Sequence, residues 1–187
     1  MKKLLTATLL LMVGSTLAQP TVGNFTLTDV VSGQAVSLTD YAGKPVVIVF
    51  SGNDCPYDNY YASRLTTIVN QYGSRVSFLF INPHLDTPEA EDAMKKEASS
   101  WAFQAPYLSD KSQTAMELLG ARRSPEVFVL RPVNGQFSVY YSGAIDDNPQ
   151  EASAVTAQYL RDAIENLLNG KTAGPTTRAA GCSIRRK

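Results

Sequence analysis

The sequence VVIVFSGNDCP, residues 46–56, decides the fold of this chain. Its first five residues are apolar and mostly β-branched, and a polar turn that contains Gly52 follows them. A continuous apolar run that ends in a turn predicts a β-strand buried on both faces. Pro56 suits the first turn of a helix, where a backbone N–H would have no intrahelical partner. Cys55 is therefore predicted to lie between a buried strand and a helix N-terminus, where the helix dipole favours the thiolate.

The length and charge of the chain limit the classes of protein to which it can belong. Its 187 residues suit a single domain with a substantial core. Seventeen basic and seventeen acidic side chains give a formal net charge of zero. We therefore expect no nucleic-acid partner and no anionic membrane partner. No apolar run beyond the N-terminal segment is long enough to predict a membrane anchor.

The first 18 residues have the pattern of an export signal. Lys2 and Lys3 precede an apolar stretch over residues 4–13, and Thr16–Ala18 matches a small-residue cleavage site. We expect cleavage after Ala18. The mature protein would then act in the periplasm or outside the cell, where disulfides persist.

The chain contains two cysteines, Cys55 and Cys182. An even number of cysteines in an exported protein predicts one disulfide. In the chain-entropy model, a permanent bridge across so long a loop stabilises the fold by roughly 4–5 kcal/mol. The same bridge could instead be one state of a redox couple, and the sequence leaves both interpretations open.

The rest of the chain alternates predicted strands and helices. Short connections predict a parallel strand–helix–strand unit, and Asn134-Gly135 is a strong hairpin signal. A parallel half followed by an antiparallel half predicts a three-layer α/β/α domain over residues 19–170. Residues 171–187 form a predicted tail without a core of its own, which carries Cys182. The predicted elements are a hairpin over 24–38, strands over 46–50, 76–81, 107–110, 126–131 and 137–141, and helices over 56–72, 86–102, 114–119 and 153–168.

Four motifs follow one another along the chain: VVIVFSGNDCPY (46–57), GARRSPEVFVL (120–130), YSGAIDDNP (141–149) and GCSIRR (181–186). In this order they resemble the thioredoxin superfamily, and specifically its redoxin or peroxiredoxin-like (AhpC/TSA-like) branch. The resemblance covers nearly the whole mature chain. It implies a thioredoxin-like three-layer α/β/α sandwich with an N-terminal β-hairpin extension.

The resemblance implies a thiol redox protein that needs no cofactor. Cys55 would attack a disulfide or a peroxide oxygen, Cys182 would resolve the product as an intramolecular disulfide, and an external thiol reductant would recycle the bridge. Gly52 departs from the family, because relatives carry a second cysteine there or the Thr or Ser of peroxiredoxins. Disulfide and peroxide substrates both stay open. The alternative is a non-catalytic binding or accessory module with a structural Cys55–Cys182 bridge.

The resemblance, together with positions close to the two cysteines in the sequence, gives a further set of candidate residues. Pro125 is expected to be cis and to lie beside Cys55, where it shapes the backbone that an extended substrate would pair with. Ser124 and Tyr57 are the expected substrate contacts. Arg123 is the candidate for stabilising a thiolate or a peroxide oxygen, because it is closer to the loop apex than Arg122.

Three titratable side chains complete the set of candidates. His84 follows the second core strand and so shares the C-terminal sheet edge with Cys55. A copper site made by Cys55 and His84 is conceivable, but we favour an exposed loop histidine and predict no metal site. The charges of Asp54 and Asp58 would raise the pKa of the Cys55 thiol and oppose the helix N-terminus.

Overall fold

The computed structural model describes residues 21–187. The predicted signal segment and its cleavage site therefore lie outside the described residues. Within this range the chain forms ten β-strands and four α-helices. The strands are β1 (Thr21–Val22), β2 (Thr26–Asp29), β3 (Ala35–Ser37), β4 (Val46–Phe50), β5 (Ser77–Asn82), β6 (Tyr107–Ser109), β7 (Arg123–Ser124), β8 (Glu126–Val133), β9 (Gln136–Gly143) and β10 (Cys182–Ser183). The helices are α1 (Pro56–Tyr72), α2 (Glu91–Ser99), α3 (Thr114–Leu119) and α4 (Tyr159–Leu168).

Eight strands form one mixed sheet in the order β1-β9-β8-β4-β5-β6-β2-β3. Strand β4 is central, parallel to β5 and antiparallel to β8, and β6 continues the parallel half. Helices α1, α2 and α4 pack on one face, whereas α3 packs on the other, where Phe25, Leu27 and Leu38 also contribute to the core. Strands β7 and β10 form a separate two-stranded sheet. The predicted three-layer thioredoxin-like sandwich is confirmed.

The central strand β4 is buried on both faces, as its sequence predicts. Val47 and Val49 belong to the core under α1, and Ile48 and Phe50 belong to the core on the opposite face. All five residues of the strand are 0% exposed. Full burial of such side chains contributes about 1.5–3 kcal/mol each, so this strand fixes the position of the turn that follows it.

Both predicted hairpins are confirmed. Strands β2 and β3 pair antiparallel at the sheet edge. Strands β8 and β9 are joined by Asn134 and Gly135, whose φ angles are 50° and 77°. Two successive residues with positive φ define the turn that suits the twist of a two-residue hairpin, and Asn-Gly is the sequence that adopts it most readily.

The helix predicted over residues 86–102 is wrong at both ends. Residues 87–89 form a single 3-10 turn, α2 begins at Glu91, and the helix ends at Ser99. Ala90 separates the two segments with extended backbone, φ −59° and ψ 153°. Glu89 is buried and binds the turn before Cys55, so a tertiary contact overrides the local helix signal.

The helix predicted over residues 153–168 is wrong at its start, because α4 begins at Tyr159. The preceding residues are held in a loop by Asp147. Its carboxylate accepts hydrogen bonds from the backbone amides of Thr156 and Ala157 and from the Thr156 hydroxyl. These bonds hold the pKa of Asp147 down at about 2. They also satisfy backbone donors that a longer helix would have used.

The tail over residues 171–187 has no helix and no core of its own, but it packs onto the domain. Ala179 and Ile184 are buried, and the Thr177 hydroxyl accepts a 2.9 Å hydrogen bond from the Ala144 amide. A Cβ at Gly143 would lie 2.1 Å from the Thr177 carbonyl oxygen, so this approach requires glycine. Within residues 21–187, no helix is long and apolar enough to cross a membrane.

Candidate functional site

Cys55 lies at the junction of strand and helix that the sequence predicts. It is the N-cap residue of α1, with φ −96° and ψ 117°, and Pro56 is the first helical residue. The turn begins at Ser51, whose amide donates a 2.9 Å hydrogen bond to the Ile81 carbonyl and so continues the pairing of β4 with β5. The side chain of Cys55 is buried, with 2% of the residue exposed.

Cys55 and Cys182 form a disulfide, as the cysteine count predicts. Their sulfurs are 2.03 Å apart and their Cα atoms 5.9 Å apart, across a sequence separation of 127 residues. Cys182 is partly exposed, whereas Cys55 is buried. Solvent therefore reaches the bridge mainly from the side of the tail.

The peptide bond between Ser124 and Pro125 is cis, which confirms the prediction for Pro125. The loop brings the Ser124 carbonyl oxygen to 3.2 Å from the Cys55 sulfur. This oxygen accepts no hydrogen bond from the bridged sulfur, but it is placed to accept one from a Cys55 thiol after reduction.

The tail lies along the backbone that leads to Pro125. Strand β10 pairs antiparallel with β7, with Cys182 opposite Ser124, and the Ile184 amide donates to the Arg122 carbonyl at 3.0 Å. A Cβ at Gly181 would lie 2.3 Å from the Ser124 carbonyl oxygen. Glycine at this position therefore lets the tail approach closely enough for the bridge to form.

Gln113 fixes the last residues of the tail. Gln113 is buried, and its backbone has a positive φ of 62°. Its side-chain amide donates to the carbonyl oxygens of Pro83 at 3.1 Å and Arg185 at 2.7 Å. Its side-chain oxygen accepts a 2.9 Å bond from the Lys187 amide. The role of Gln113 was not predicted, because a polar residue before a short helix carries no signal for contacts with a distant segment.

His84 is buried, so the prediction of an exposed loop histidine is wrong. Its Nε2 lies 2.8 Å from the Ser124 hydroxyl. A Cβ at residue 52 would lie 2.9 Å from the His84 ring, so Gly52 provides the space that the imidazole fills. Burial lowers the pKa of His84, and the negative charge of Glu89 opposes this shift.

The carboxyl group of Asp58 is buried one helical turn beyond Cys55. The Ser51 hydroxyl donates a 2.8 Å hydrogen bond to Oδ1, and no donor among the described residues is in hydrogen-bond geometry with Oδ2. Burial raises the pKa of Asp58 to about 8, although hydrogen bonding by Ser51 and the Gly52 amide opposes the rise. Asp58 is therefore mostly neutral at pH 7. A protonated Asp58 carries no charge that would raise the pKa of the Cys55 thiol, so the expected effect of its charge stays a prediction.

Glu89 holds the turn that precedes Cys55. Its buried carboxylate accepts hydrogen bonds from the amides of Asn53 at 2.8 Å and Asp54 at 2.9 Å, and from the side-chain amide of Asn82 at 2.7 Å. The sequence predicts Glu89 to lie in the first turn of a helix over residues 86–102. The sequence Thr87-Pro88-Glu89 gives no indication that the Glu89 side chain points into the protein.

The remaining predicted residues have different surroundings. Arg123 donates from Nη1 to the Gly181 carbonyl at 2.8 Å, and so contacts the tail next to Cys182. Ser124 is fully buried, and Tyr57 is half-buried with its ring against Tyr60. Their roles toward a substrate stay predictions. Residues 21–187 contain no group of three or more His, Cys, Asp or Glu side chains suited to a metal ion.

The sandwich, the cysteine at the N-terminus of α1 and the adjacent cis-proline together define a thioredoxin-fold protein. The model of the AhpC/TSA family matches residues 19–140. The chain therefore belongs to the AhpC/TSA family. A comparison with curated proteins found no match.

Solved structures support the fold over most of the chain. An "uncharacterized conserved protein" from Geobacillus kaustophilus has a TM-score of 0.81 at 28% identity and covers 90% of this chain and 92% of its own. A hypothetical protein from Sinorhizobium meliloti 1021 has a TM-score of 0.80 at 25% identity, with 93% and 97% covered. A secreted disulfide oxidoreductase from Mycobacterium tuberculosis has a TM-score of 0.56 at 21% identity, with 75% and 94% covered.

Proposed function

We propose that this protein is an exported thiol oxidoreductase in which Cys55 is the nucleophile and Cys182 the resolving cysteine. The observation that carries the proposal is the pair of buried titratable side chains, Asp58 and His84, packed around Ser124 beside the Cys55 sulfur. Burying ionisable groups destabilises a fold, and such groups cluster at functional sites. A disulfide that only held the tail would need neither of them.

The proposed cycle starts from the dithiol. The Cys55 thiolate attacks one sulfur of a substrate disulfide, a mixed disulfide forms, and the other substrate sulfur leaves as a thiolate. The Cys182 thiolate then attacks the Cys55 sulfur, which forms the intramolecular bridge and releases the second substrate thiolate. The substrate gains two electrons, and an external dithiol returns two electrons to the bridge.

The docked tail supports a resolving role for Cys182. The pairing of β10 with β7 and the hydrogen bonds from Gln113 do not involve either sulfur. Those contacts can keep Cys182 near Cys55 after the bridge is reduced. A resolving thiol held in place reacts as an intramolecular group, which removes the entropic cost of bringing two molecules together.

The turn around Gly52 favours a disulfide over a peroxide as the substrate. The ring of His84 fills the space that a Thr or Ser side chain would occupy at this position. The Ser51 hydroxyl, which could have replaced it, donates to Asp58 instead. Arg123 also donates to the tail. In the bridged protein the Ser51 hydroxyl and one N–H of Arg123 are thus engaged with other groups.

Export is part of the proposal. It is supported by the signal pattern over residues 1–18 and by the bridge itself, because disulfides persist outside the cytoplasm. The mycobacterial disulfide oxidoreductase of similar fold is a secreted protein, which agrees with this location.

One observation favours a second candidate, an accessory module with a permanent bridge. The tail is attached by backbone pairing, by the burial of Ile184 and by Gln113, which is what a structural attachment requires. In this case the bridge would add its roughly 4–5 kcal/mol to the fold and would not turn over.

Thiol alkylation and mass spectrometry across glutathione redox buffers separate the two candidates. A redox couple should exchange between bridged and free forms at a potential of about −200 mV in the folded protein. A structural bridge should resist reduction below about −300 mV until the protein is denatured. Turnover of a disulfide substrate and of hydrogen peroxide by the reduced protein then decides the substrate class.

A further inference from the structure

A basic cleft lies beside the disulfide, on the tail side. Four arginines line it, and we refer to it as the arginine cleft: Arg122, Arg123, Arg178 and Arg186. Its volume is about 720 Å³, and Ser183, the neighbour of Cys182, forms part of its wall. The chain as a whole has a formal net charge of zero, so these arginines form a local excess of positive charge.

The positive charge of the cleft is largely unneutralised by the described part of the chain. The acidic lining residue is Glu126, and its carboxylate accepts bonds from the backbone amides of Arg122 at 2.7 Å and Arg123 at 3.0 Å. The ion pairs among residues 21–187 join Arg64 to Asp146 and Arg185 to Asp86, and neither includes an arginine of the cleft. Arg122, Arg178 and Arg186 are exposed, so the cleft presents its charge to solvent.

The cleft adjoins strand β10, which carries Cys182. Cys55 is only 2% exposed, whereas Cys182 is partly exposed next to Ser183 in the cleft wall. Of the two bridged residues, Cys182 is therefore the one that a thiolate of a partner bound over the cleft can reach from solvent. Attack there makes Cys55 the leaving group, and the N-terminus of α1 is suited to a departing thiolate.

We propose that the arginine cleft receives an acidic face of a protein dithiol reductant, whose thiolate attacks Cys182. This inference rests on the proposed function, because it names the partner that recycles the bridge. A bond forms between the reductant sulfur and the Cys182 sulfur, and the bond to Cys55 breaks with the electron pair on Cys55. The second thiolate of the reductant then attacks its own bridged sulfur, Cys182 leaves as a thiolate, and the reductant ends as a disulfide.

The spread of the charges favours a polypeptide over a small anion as the occupant. The arginines come from two segments, residues 122–123 and the tail at residues 178 and 186, and three of them are exposed to water. A single small anion gains little from an exposed charge. A protein face that carries several carboxylates matches several arginines together, and such complementarity accelerates association.

Capped pentapeptides with a central cysteine provide the test. The flanking residues are all glutamate, all serine or all lysine, and the rate of bridge reduction is normalised to the thiolate concentration of each peptide. We expect the glutamate peptide to react at least about tenfold faster than the serine peptide at low salt, and the lysine peptide to react slowest. The differences between the three rates should disappear when the salt concentration rises from about 20 mM to about 500 mM, because the Debye length falls from roughly 20 Å to roughly 4 Å.

A matched pair of variants links the effect to the cleft. The variant Arg122→Ser, Arg178→Ser, Arg186→Ser should lose most of the preference for the glutamate peptide. The control variant Arg75→Ser, Lys95→Ser, Lys171→Ser removes the same amount of charge elsewhere and should keep the preference for the glutamate peptide. Equal rates for the three peptides, or equal effects of the two variants, would overturn the inference. Failure of every peptide to reduce the folded protein would instead overturn the proposed function.

Two further measurements define the partner and the target sulfur. Acid quenching followed by peptide mapping should place the first mixed disulfide on Cys182, and its appearance on Cys55 would contradict the inference. Mercaptoethanesulfonate is then compared with mercaptoethanol. If the single sulfonate accelerates bridge reduction less than the glutamate flanks do, the result supports a polypeptide partner. An equal acceleration would contradict that partner and indicate a small anionic thiol.

Discussion

The substitution Asp58→Asn should change how the stability of this protein depends on pH. Asparagine keeps the shape of the side chain and an oxygen for the Ser51 hydroxyl, but it does not titrate. In the native protein burial raises the pKa of Asp58 from 3.8 to about 8. Between these values the folded state keeps a proton that the unfolded state has lost. The contribution of Asp58 to stability is therefore complete below about pH 4 and is lost as the pH rises toward 8.

The size of the effect follows from the slope of about 1.4 kcal/mol per pH unit for one proton. From about pH 5 to about pH 7, the free energy of unfolding of the native protein should fall by roughly 2–3 kcal/mol relative to Asp58→Asn. His84 acts in the opposite direction, because burial lowers its pKa and stability is lost as the pH falls through the range where the unfolded histidine gains its proton. This contribution is common to both proteins and is removed by taking their difference.

Urea denaturation of the two oxidised proteins at these pH values measures that difference. Asp92→Asn, which changes an exposed carboxylate on α2, is the control and should follow the native protein. If the gap between the native protein and Asp58→Asn stays constant within about 0.5 kcal/mol, Asp58 does not hold a proton in the folded state. A constant gap would therefore show that Asp58 is charged beside Cys55 at neutral pH.

Three further substitutions test other parts of the site. Gly181→Ala places a methyl group against a backbone carbonyl, so we expect a loss of about 1–3 kcal/mol in urea denaturation and faster reduction of the bridge by dithiothreitol. Gly52→Ala should displace the ring of His84 at a similar cost of about 1–3 kcal/mol, and an unchanged stability would show that the ring does not need the space. Cys182→Ser should trap a mixed disulfide on Cys55 that mass spectrometry detects, with turnover lost; normal turnover with lower stability would instead indicate a structural bridge.

Local sequence signals were sufficient for the elements that position Cys55. The strand β4, the start of α1 and the turn at Asn134 and Gly135 each depend on residues that are neighbours in sequence. The cis bond at Pro125 came from the family resemblance, since an isolated X–Pro bond is rarely cis. These features were predicted because the information is contained within a few residues.

The surroundings of the sulfur could not be predicted in the same way. The burial of His84 depends on a missing side chain at residue 52, and the inward turn of Glu89 depends on free amides in the loop before Cys55. Both contacts join segments more than 30 residues apart. The predicted starts of α2 and α4 are wrong for related reasons. The Glu89 side chain turns away from the predicted helix to accept from the Asn53 amide, whereas the Asp147 side chain accepts from the Thr156 amide, a donor that a longer α4 would have used.

The pairing of β10 with β7 makes the tail a competitor for every extended chain that could bind beside Pro125. Because the tail stays covalently attached after reduction, it returns at an effective concentration set by its tether, which is about millimolar for a short flexible linker. A partner that pairs with β7 has to bind more tightly than this internal strand. The tail therefore sets a minimum affinity for productive partners, and polypeptides that bind more weakly are rejected before any sulfur reacts.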